Sequence, residues 1–274
     1  MSLHCAFLNV QRLRRATGCR SAAALAGVIS AGIYAAVAFF VIANVSAFSR
    51  TAEDDAQIAN SLATMLRAGR TVISKNQDRI NDPGGGNKGI DGKAVLAEAS
   101  TIYQQMMGIN PASIDRGSLH GMLIRMQMES IAEVMDVHQE TINRQGVGFK
   151  GFIPAVFSRM VNDAFGRRAA GTAEMKVTAP PYLIRNPQVQ PDEWELEVIK
   201  TKLLAPAWPK DQPYTAVAPK DGNLAQRTLI PEYYGSSCLA CHGSPKGEID
   251  ITGFPKEGAN EGDLGGIISI TLYR

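Results

Sequence analysis

The feature that most constrains this chain is a long apolar segment near its N-terminus. No charged residue occurs between Arg20 and Arg50, and residues 22–48 read AAALAGVISAGIYAAVAFFVIANVSAF. An α-helix of roughly 20 apolar residues spans a bilayer, so we predict one transmembrane helix at residues 21–48. A cleaved signal peptide, with small residues at 45–47 before the cut, is the alternative, although a signal core has only roughly 7 to 15 apolar residues.

The charges that flank this segment predict its orientation. Residues 1–20 contain four arginines and no acidic residue. Because positive charge is retained in the cytoplasm, we expect a cytoplasmic stub at residues 1–20 and an exported domain at residues 49–274. We therefore expect a single-pass protein of the inner (cytoplasmic) membrane whose C-terminal domain lies in the periplasm.

The composition favours a folded domain and excludes a nucleic-acid partner. Hydrophobic residues make up 45% of the chain and charged residues 20%, which is too apolar for a disordered protein. There are 28 Lys and Arg against 26 Asp and Glu, and four of the arginines belong to the stub. The exported part is therefore slightly acidic, whereas a domain that binds nucleic acid needs a basic stripe.

Helical periodicity dominates the first two-thirds of the chain. Apolar residues recur at spacings of three and four, which predicts a series of helices. They cover residues 51–81, 94–107, 118–144 and 152–168. We expect the first of these helices to continue the membrane segment and to end before the stretch DPGGGN at 82–87, since proline and three glycines cannot propagate a helix.

Strand patterns are confined to the last hundred residues. The β-branched or alternating stretches are 174–178, 227–230 and 266–272, and an amphipathic helix is predicted over 192–204. Strands separated by a helix and long loops favour an antiparallel sheet with helices on one face. The predicted fold class is therefore α+β.

The pentapeptide Cys238-Leu239-Ala240-Cys241-His242 is the motif that carries chemistry. In an exported protein, this CxxCH pattern indicates covalent attachment of a c-type haem. Two thiols three residues apart lie on one side of a helical turn, where each can add to a haem vinyl group. The next residue, His242, would be the proximal iron ligand, and we expect its other ring nitrogen to bond a backbone carbonyl.

Three other interpretations of the pentapeptide stay open. A structural zinc site needs a second ligand pair, and the exported part offers only His120 and His138 outside the motif. A redox-active dithiol does not require the histidine that follows. A disulfide between residues three apart is strained and closes almost no loop. The other two cysteines, Cys5 and Cys19, lie in the predicted stub.

The second axial position on the iron has several candidates. His138 lies on the apolar stripe of the predicted helix 118–144, where a histidine must either find a hydrogen-bond partner or bind something. The same helix carries methionines, which also ligate haem iron but more often fill cores: Met122, Met126, Met128 and Met135. An open or water-bound iron is the remaining alternative.

Five short stretches carry a resemblance to a known family. They are GFKGFIPA at 148–155, RNP at 185–187, PDEWE at 191–195, CLACHGSPKG at 238–247 and EGDL at 261–264. Through them the chain from about residue 50 onward resembles the membrane-anchored c-type haem domains with a PAS-like fold, a domain-of-unknown-function family of periplasmic haem sensors.

The resemblance implies a PAS-like antiparallel sheet packed by long N-terminal helices, with one covalently attached haem c between them. It also implies that Cys238, Cys241 and His242 carry the cofactor. Beside these, Arg185 is a candidate to pair with a haem propionate, since a guanidinium matches the geometry of a carboxylate. Trp194 is a candidate to pack on the porphyrin, with ordinary core burial as the alternative.

Two functions follow from these expectations. The first is a redox or gas sensor; because the chain ends directly after the last predicted strand, its signal would pass to a separate protein. The second is a membrane-anchored electron-transfer cytochrome c. We expect no enzymatic activity, because no distal acid–base pair is apparent. The candidate partners are the membrane, a signalling or redox protein and a second copy of the chain.

Overall fold

Helices make up the N-terminal half of the structure and strands most of the rest. The computed structural model describes residues 51–274. The helices are α1 Ala52–Lys75, α2 Gln77–Asn81, α3 Gly92–Met107, α4 Leu119–Val137, α5 Gln139–Ile142, α6 Pro154–Arg168, α7 Glu193–Val198 and α8 Leu239–His242. The strands are β1 Ala173–Thr178, β2 Tyr214–Lys220, β3 Asn223–Tyr233 and β4 Leu264–Tyr273. Short 3-10 turns lie at Pro111–Ser113, Pro181–Leu183, Pro187–Val189 and Ser236–Cys238, and a π-helical turn at Ile199–Leu203 follows α7.

The predicted membrane segment lies outside this part of the chain. Both the stub at residues 1–20 and the helix at residues 21–48 precede the described residues. Within residues 51–274, no helix is both long and apolar enough to cross a membrane.

Helix α1 begins directly after Thr51, which is its N-cap residue. The Thr51 hydroxyl accepts a hydrogen bond from the backbone N–H of Asp54, and the Asp54 carboxylate accepts one from the N–H of Thr51, which together form a capping box. The backbone of Thr51 is extended. The expectation of a helix continuous through this residue is therefore wrong, although the helical region ends before the glycine-rich stretch, as predicted.

The helical layer is organised around α1, which contacts α3, α4 and α6. Buried hydrogen bonds fix these contacts: the side-chain amide of Gln127 in α4 donates to the Leu62 carbonyl at 2.9 Å, and the hydroxyls of Ser61 and Tyr103 lie 2.7 Å apart. Around them the interior is apolar, with Phe157 of α6 fully buried. The predicted helices 94–107 and 152–168 are confirmed with small shifts at their first residues.

The four strands form one antiparallel sheet in the order β1-β4-β3-β2. Strand β4 is central; its Ile270 pairs with Met175 of β1 on one side and with Thr228 of β3 on the other. Strands β2 and β3 are joined by Asp221 and Gly222, which both have positive φ, as a tight two-residue hairpin turn requires. The α+β class and the antiparallel sheet are confirmed.

Both faces of the sheet are covered, whereas the sequence predicted helices on one face. Ile268, Ile270 and Leu272 point into the helical layer, because alternate residues of a strand face the same side. On the other face, Ile267 packs with Val198 and Ile199 of the segment formed by α7 and the π-helical turn. This second cluster is small, and ionic groups complete the second face.

Candidate functional site

The pentapeptide lies in the connection between strands β3 and β4. Ser236–Cys238 forms a 3-10 turn, and Leu239–His242 forms a single α-helical turn. Cys238 ends the 3-10 turn and Cys241 lies three residues later in the α-helical turn, so both belong to one short helical segment, and both are free, half-buried thiols. The predicted placement of the two thiols on a helical turn is therefore confirmed.

Two glycines allow the chain to pack closely here. A Cβ atom on Gly243 would lie 2.6 Å from the Leu239 carbonyl oxygen, so a side chain directly after His242 would collide with the backbone of the turn. A Cβ atom on Gly265, at the start of β4, would overlap the ring of Tyr234. The space left by Gly265 lets Tyr234 lie against the pentapeptide.

His242 is held in one orientation by its neighbours. Its Nδ1 lies 2.8 Å from Oε2 of Glu257 and 3.3 Å from the hydroxyl of Tyr234, whose ring stacks on the imidazole with the centroids 4.8 Å apart. An ionised carboxylate only accepts hydrogen bonds, so Nδ1 carries a proton and the Nδ1–H group donates a hydrogen bond to Glu257. The partner is thus a carboxylate, and the expectation of a backbone carbonyl is wrong.

The opposite ring nitrogen of His242 is available to a metal. Its Nε2 has no hydrogen-bond partner among residues 51–274, and the side chain is 27% exposed. In a neutral imidazole with its proton on Nδ1, Nε2 carries the lone pair that binds a metal ion. A ring nitrogen without a protein partner and two thiols in the same pentapeptide fit the attachment of a c-type haem.

Arg185 is brought to the pentapeptide from a distant part of the chain. Its Nη2 donates to the Cys241 carbonyl at 2.9 Å, its Nη1 to Asp250 at 2.6 Å, and its Nε to Glu257 at 2.9 Å. Longer hydrogen bonds reach Thr252 and the Pro255 carbonyl. These contacts with the protein make Arg185 a brace for the turn, while contact with a propionate stays a prediction.

The two carboxyl groups of the site have pKa values that their hydrogen-bond partners lower. Burial would raise the pKa of Glu257, but hydrogen bonds from Arg185 and His242 outweigh it and lower that pKa. Burial likewise opposes ionisation of Asp250, yet hydrogen bonds from Thr252 and Arg185 bring its pKa well below the usual range. Both carboxyls are therefore ionised at neutral pH, and Asp250 is fully buried at its side chain.

Cys241 and Tyr234 both have raised pKa values. Burial, together with the nearby charge of Asp250, raises the pKa of the Cys241 thiol. This shift concerns only the second cysteine of the motif, so the redox-active dithiol stays an open alternative. Burial and the charge of Glu257 raise the pKa of Tyr234 to about 12, and its phenol therefore stays protonated.

The zinc interpretation finds no support in residues 51–274. In that range no group of three or more His, Cys, Asp or Glu side chains is arranged to hold a metal ion. Burial lowers the pKa of His120, and its Nε2 is buried without a hydrogen-bond partner in the part of the chain that the structure describes.

His138 lies between two helices and away from the pentapeptide's contacts. Helix α4 ends at Val137 and α5 begins at Gln139, so the predicted helix over 118–144 is interrupted at His138. Its Nδ1–H donates to the Val134 carbonyl at 2.7 Å, and its ring lies 5.5 Å from that of Phe152. Within the described chain, no hydrogen bond, ion pair or ring contact joins it to residues 238–242. Iron ligation by His138 stays a prediction.

Trp194 packs on the second face of the sheet. Its ring lies 6.1 Å from that of Tyr214, and the Arg227 guanidinium lies over it at 4.3 Å. It belongs to the small apolar cluster of that face. The structure thus shows the core role that we considered as the alternative to packing on a porphyrin.

An exposed apolar hairpin lies beside the pentapeptide. Ile249 pairs with Pro255, and Asp250 turns inward to Arg185. The neighbouring side chains of Ile249 and Ile251 point outward and are 63% and 64% exposed. This hairpin gives the surface near the motif an apolar character.

The sequence analysis missed Glu257, Asp250 and Tyr234. Tyr234 precedes the motif by four residues and could have been considered for that reason. The two acids lie on a long connection, and only its folded path brings them to His242 and Arg185. No spacing rule links a carboxylate 15 residues after a histidine to that histidine's ring.

Comparison with known proteins agrees with this geometry. A family model described as Tll0287-like (Tll0287) matches residues 49–272. Searches of curated proteins and of solved structures found no match. The matched region includes the pentapeptide and every residue that braces it. The chain therefore belongs to the Tll0287-like family, a family of cytochrome c-type haem domains.

Proposed function

We propose that the domain carries one haem, attached by thioether bonds to Cys238 and Cys241, with Nε2 of His242 as the proximal ligand. The observation that carries this proposal is the hydrogen bond from His242 Nδ1 to Glu257, because it fixes the imidazole through Nδ1 and leaves Nε2, in the same pentapeptide as both thiols, without a partner among residues 51–274. When bound, a haem supplies a one-electron couple and an axial position for a second ligand.

Each protein group has a defined part in this attachment. The Sγ of each cysteine would form a bond to one carbon of a vinyl group while the thiol hydrogen passes to the other carbon, so no external oxidant is needed. Arg185 and Glu257 keep the turn and the imidazole in place through the Cys241 carbonyl and Nδ1. None of these residues forms a catalytic acid–base pair, so we propose no enzymatic role.

We further propose that the domain is PAS-like and periplasmic, and that a single helix at residues 21–48 anchors it in the inner membrane. The antiparallel sheet packed by long helices supports the first part. The charge-free segment 22–48 after an arginine-rich stub supports the second. Membrane fractionation of the full chain and of a variant that lacks residues 1–48 tests the anchor.

Our preferred function is a redox or gas sensor that signals through a separate partner. The second candidate is an anchored electron-transfer cytochrome, which the exposed side chains of Ile249 and Ile251 favour, because an apolar surface beside a haem suits brief docking of a redox protein. A sensor would bind carbon monoxide or change ligands on reduction. A carrier would keep two protein ligands in both states and exclude the gas.

The attachment is tested on a denaturing gel stained for haem, with full-length protein matured in a host that makes c-type cytochromes. We expect stain for the wild type and none for Cys238→Ser with Cys241→Ser. Cys19→Ser, which alters a cysteine outside the motif, is the matched control and should stain as the wild type does. A colourless wild type whose mass equals that of the bare polypeptide would refute the proposal.

The same preparation separates the two functions. Visible spectra of the reduced protein are recorded with and without carbon monoxide. A spectral change on addition of the gas, or a change of ligand between the oxidised and the reduced protein, supports the sensor. A spectrum that the gas leaves unchanged, with the same protein ligands in both states, supports the carrier.

A further inference from the structure

The hydrogen bond between His242 and Glu257 has a consequence for the electronic state of the site. We propose that Glu257 is a positioning residue that lowers the reduction potential of the attached haem by holding a negative charge on the proximal imidazole. The inference rests on the proposed function and deepens it. It is argued from the contacts of Glu257, the charges around it and the effect of a second-shell carboxylate on a ligating histidine.

Glu257 is fixed between two partners. Its Oε2 accepts from His242 Nδ1 at 2.8 Å and from Arg185 Nη2 at 3.0 Å, while its Oε1 accepts from Arg185 Nε at 2.9 Å. The guanidinium thus grips the carboxylate with two parallel hydrogen bonds, which is the most directional form of this pair. The Glu257 side chain is only 17% exposed, so water competes little for its oxygens.

The positive charge of Arg185 does not neutralise the negative charge of the Glu257 carboxylate beside the imidazole. The same guanidinium is shared with Asp250, whose carboxylate is fully buried and lies 2.6 Å from Nη1. One positive and two negative groups leave this cluster with a net charge of about −1 at neutral pH. Arg185 also donates to the Cys241 carbonyl, so the carboxylate is held in a fixed position relative to the turn.

A carboxylate at Nδ1 changes the donor strength of Nε2. It draws the Nδ1 proton toward itself and raises the electron density of the ring, which makes the histidine a more basic ligand. A more electron-donating ligand stabilises ferric over ferrous iron, so the reduction potential falls. A backbone carbonyl, which the sequence analysis expected, is neutral and would lower the potential less.

The test compares the midpoint potentials of haem-loaded variants by redox titration with a spectroscopic readout. Glu257→Gln keeps the size of the side chain but removes its charge, and we expect the potential to shift upward. A tenfold change in the ratio of ferric to ferrous protein corresponds to about 59 mV for a one-electron couple. Glu257→Asp keeps the charge on a shorter side chain and should give a smaller shift in the same direction.

Glu248→Gln is the matched control. Glu248 belongs to the same connection, is 51% exposed at its side chain and pairs with Lys256 at 3.4 Å, and it does not contact the pentapeptide. Its replacement removes the same charge but leaves the His242 hydrogen bond intact, so the potential should stay close to that of the wild type. Equal potentials for Glu257→Gln and Glu248→Gln would overturn the inference.

The design also separates this inference from the function on which it rests. Absence of haem stain in the wild type refutes the proposed function itself. If Glu257→Gln alone yields no haem-loaded protein, the comparison of Glu257→Asp with Glu248→Asp decides the question, because both variants keep the charge and only the first alters the contact. No shift in Glu257→Asp relative to that control then refutes the role of Glu257.

Discussion

In the helical layer, side chains are held by apolar neighbours, whereas in the connection at residues 234–263 they are held by ions and hydrogen bonds. Phe157 is fully buried and meets Phe152 edge-on at 6.3 Å. Arg185, in contrast, joins two carboxylates and a backbone carbonyl. The first region is stabilised by removing apolar surface from water, which is non-directional. The second is stabilised by directional contacts, which suit the orientation of a ligand.

The largest expected difference between the two regions is in the free energy of unfolding that is lost when a phenylalanine in each is replaced by alanine. Phe157→Ala should lower the free energy of unfolding by about 3–5 kcal/mol, because it leaves a cavity in a closed core. Phe254→Ala should cost less than about 1 kcal/mol, because this ring is 41% exposed and the Arg185 guanidinium over it lies 5.5 Å from its centroid. Urea unfolding of both variants measures the two losses, and similar losses would remove the contrast.

Removal of the central cation should be the most damaging single change to the pentapeptide's surroundings. Arg185→Ala leaves the buried Asp250 carboxylate without its ionic partner, which costs about 3 kcal/mol of unfolding free energy. The matched control is Arg167→Ala, which breaks an exposed ion pair with Glu133 and should cost less than about 1 kcal/mol. If both variants unfold at the same urea concentration, the connection does not depend on this cluster.

Acid should weaken the second region selectively. The pKa values of Asp250 and Glu257 are lowered in the folded protein, so these groups add stability above the unfolded-state pKa of about 4, and that stability is lost as the pH falls below it. The difference in unfolding free energy between the wild type and Arg185→Ala should therefore shrink between pH 7 and pH 3. A difference that stays constant over this range would contradict the assignment.

The smallest effect is expected at Tyr234. Its hydroxyl lies 3.3 Å from His242 Nδ1, a long contact beside the 2.8 Å bond to Glu257, whereas its ring supplies the stacking. Tyr234→Phe keeps the ring and should lower the free energy of unfolding by less than about 1 kcal/mol. Tyr182→Phe, at a strongly exposed position, is the control and should have no effect. A large loss in Tyr234→Phe would show that the hydroxyl matters more than the ring.

The same contrast explains how much the sequence could predict. Helices α3 and α6 and strands β1 and β4 follow from local periodicity, since their apolar residues repeat with the period of the element. Strand β2 was missed, because Tyr214–Lys220 contains Pro219 and is at the edge of the sheet, where most of its side chains are not buried. Strand β3 was predicted too short, because Asn223 and Gln226 on one side of the predicted stretch 227–230, and Pro231 and Glu232 on the other, interrupt the strand pattern.

In the site, too, the residues with a local sequence pattern were predicted, and the contacts between distant residues were not. Cys238, Cys241 and His242 were predicted from their spacing alone, because that spacing is typical of covalent haem attachment. Arg185 was selected, but for a different partner: the protein supplies its own carboxylates at Glu257 and Asp250. These contacts join residues 65 and 72 positions apart, and no local pattern encodes them. The sequence pattern also did not predict the break at His138, whose ring lies 5.5 Å from that of Phe152.

The position of the pentapeptide between two neighbouring strands bears on how the proposed haem would be attached. Strands β3 and β4 are direct neighbours in the sheet. Two backbone hydrogen bonds join the ends of the connection between them: the N–H of Tyr234 donates to the Asp263 carbonyl, and the Tyr234 carbonyl accepts from the N–H of Gly262. The ladder between the two strands is therefore complete without the turn that bears the thiols. If a haem is attached as proposed, we expect that the turn can open, react at both sulfurs and close again while the rest of the domain keeps its strand register.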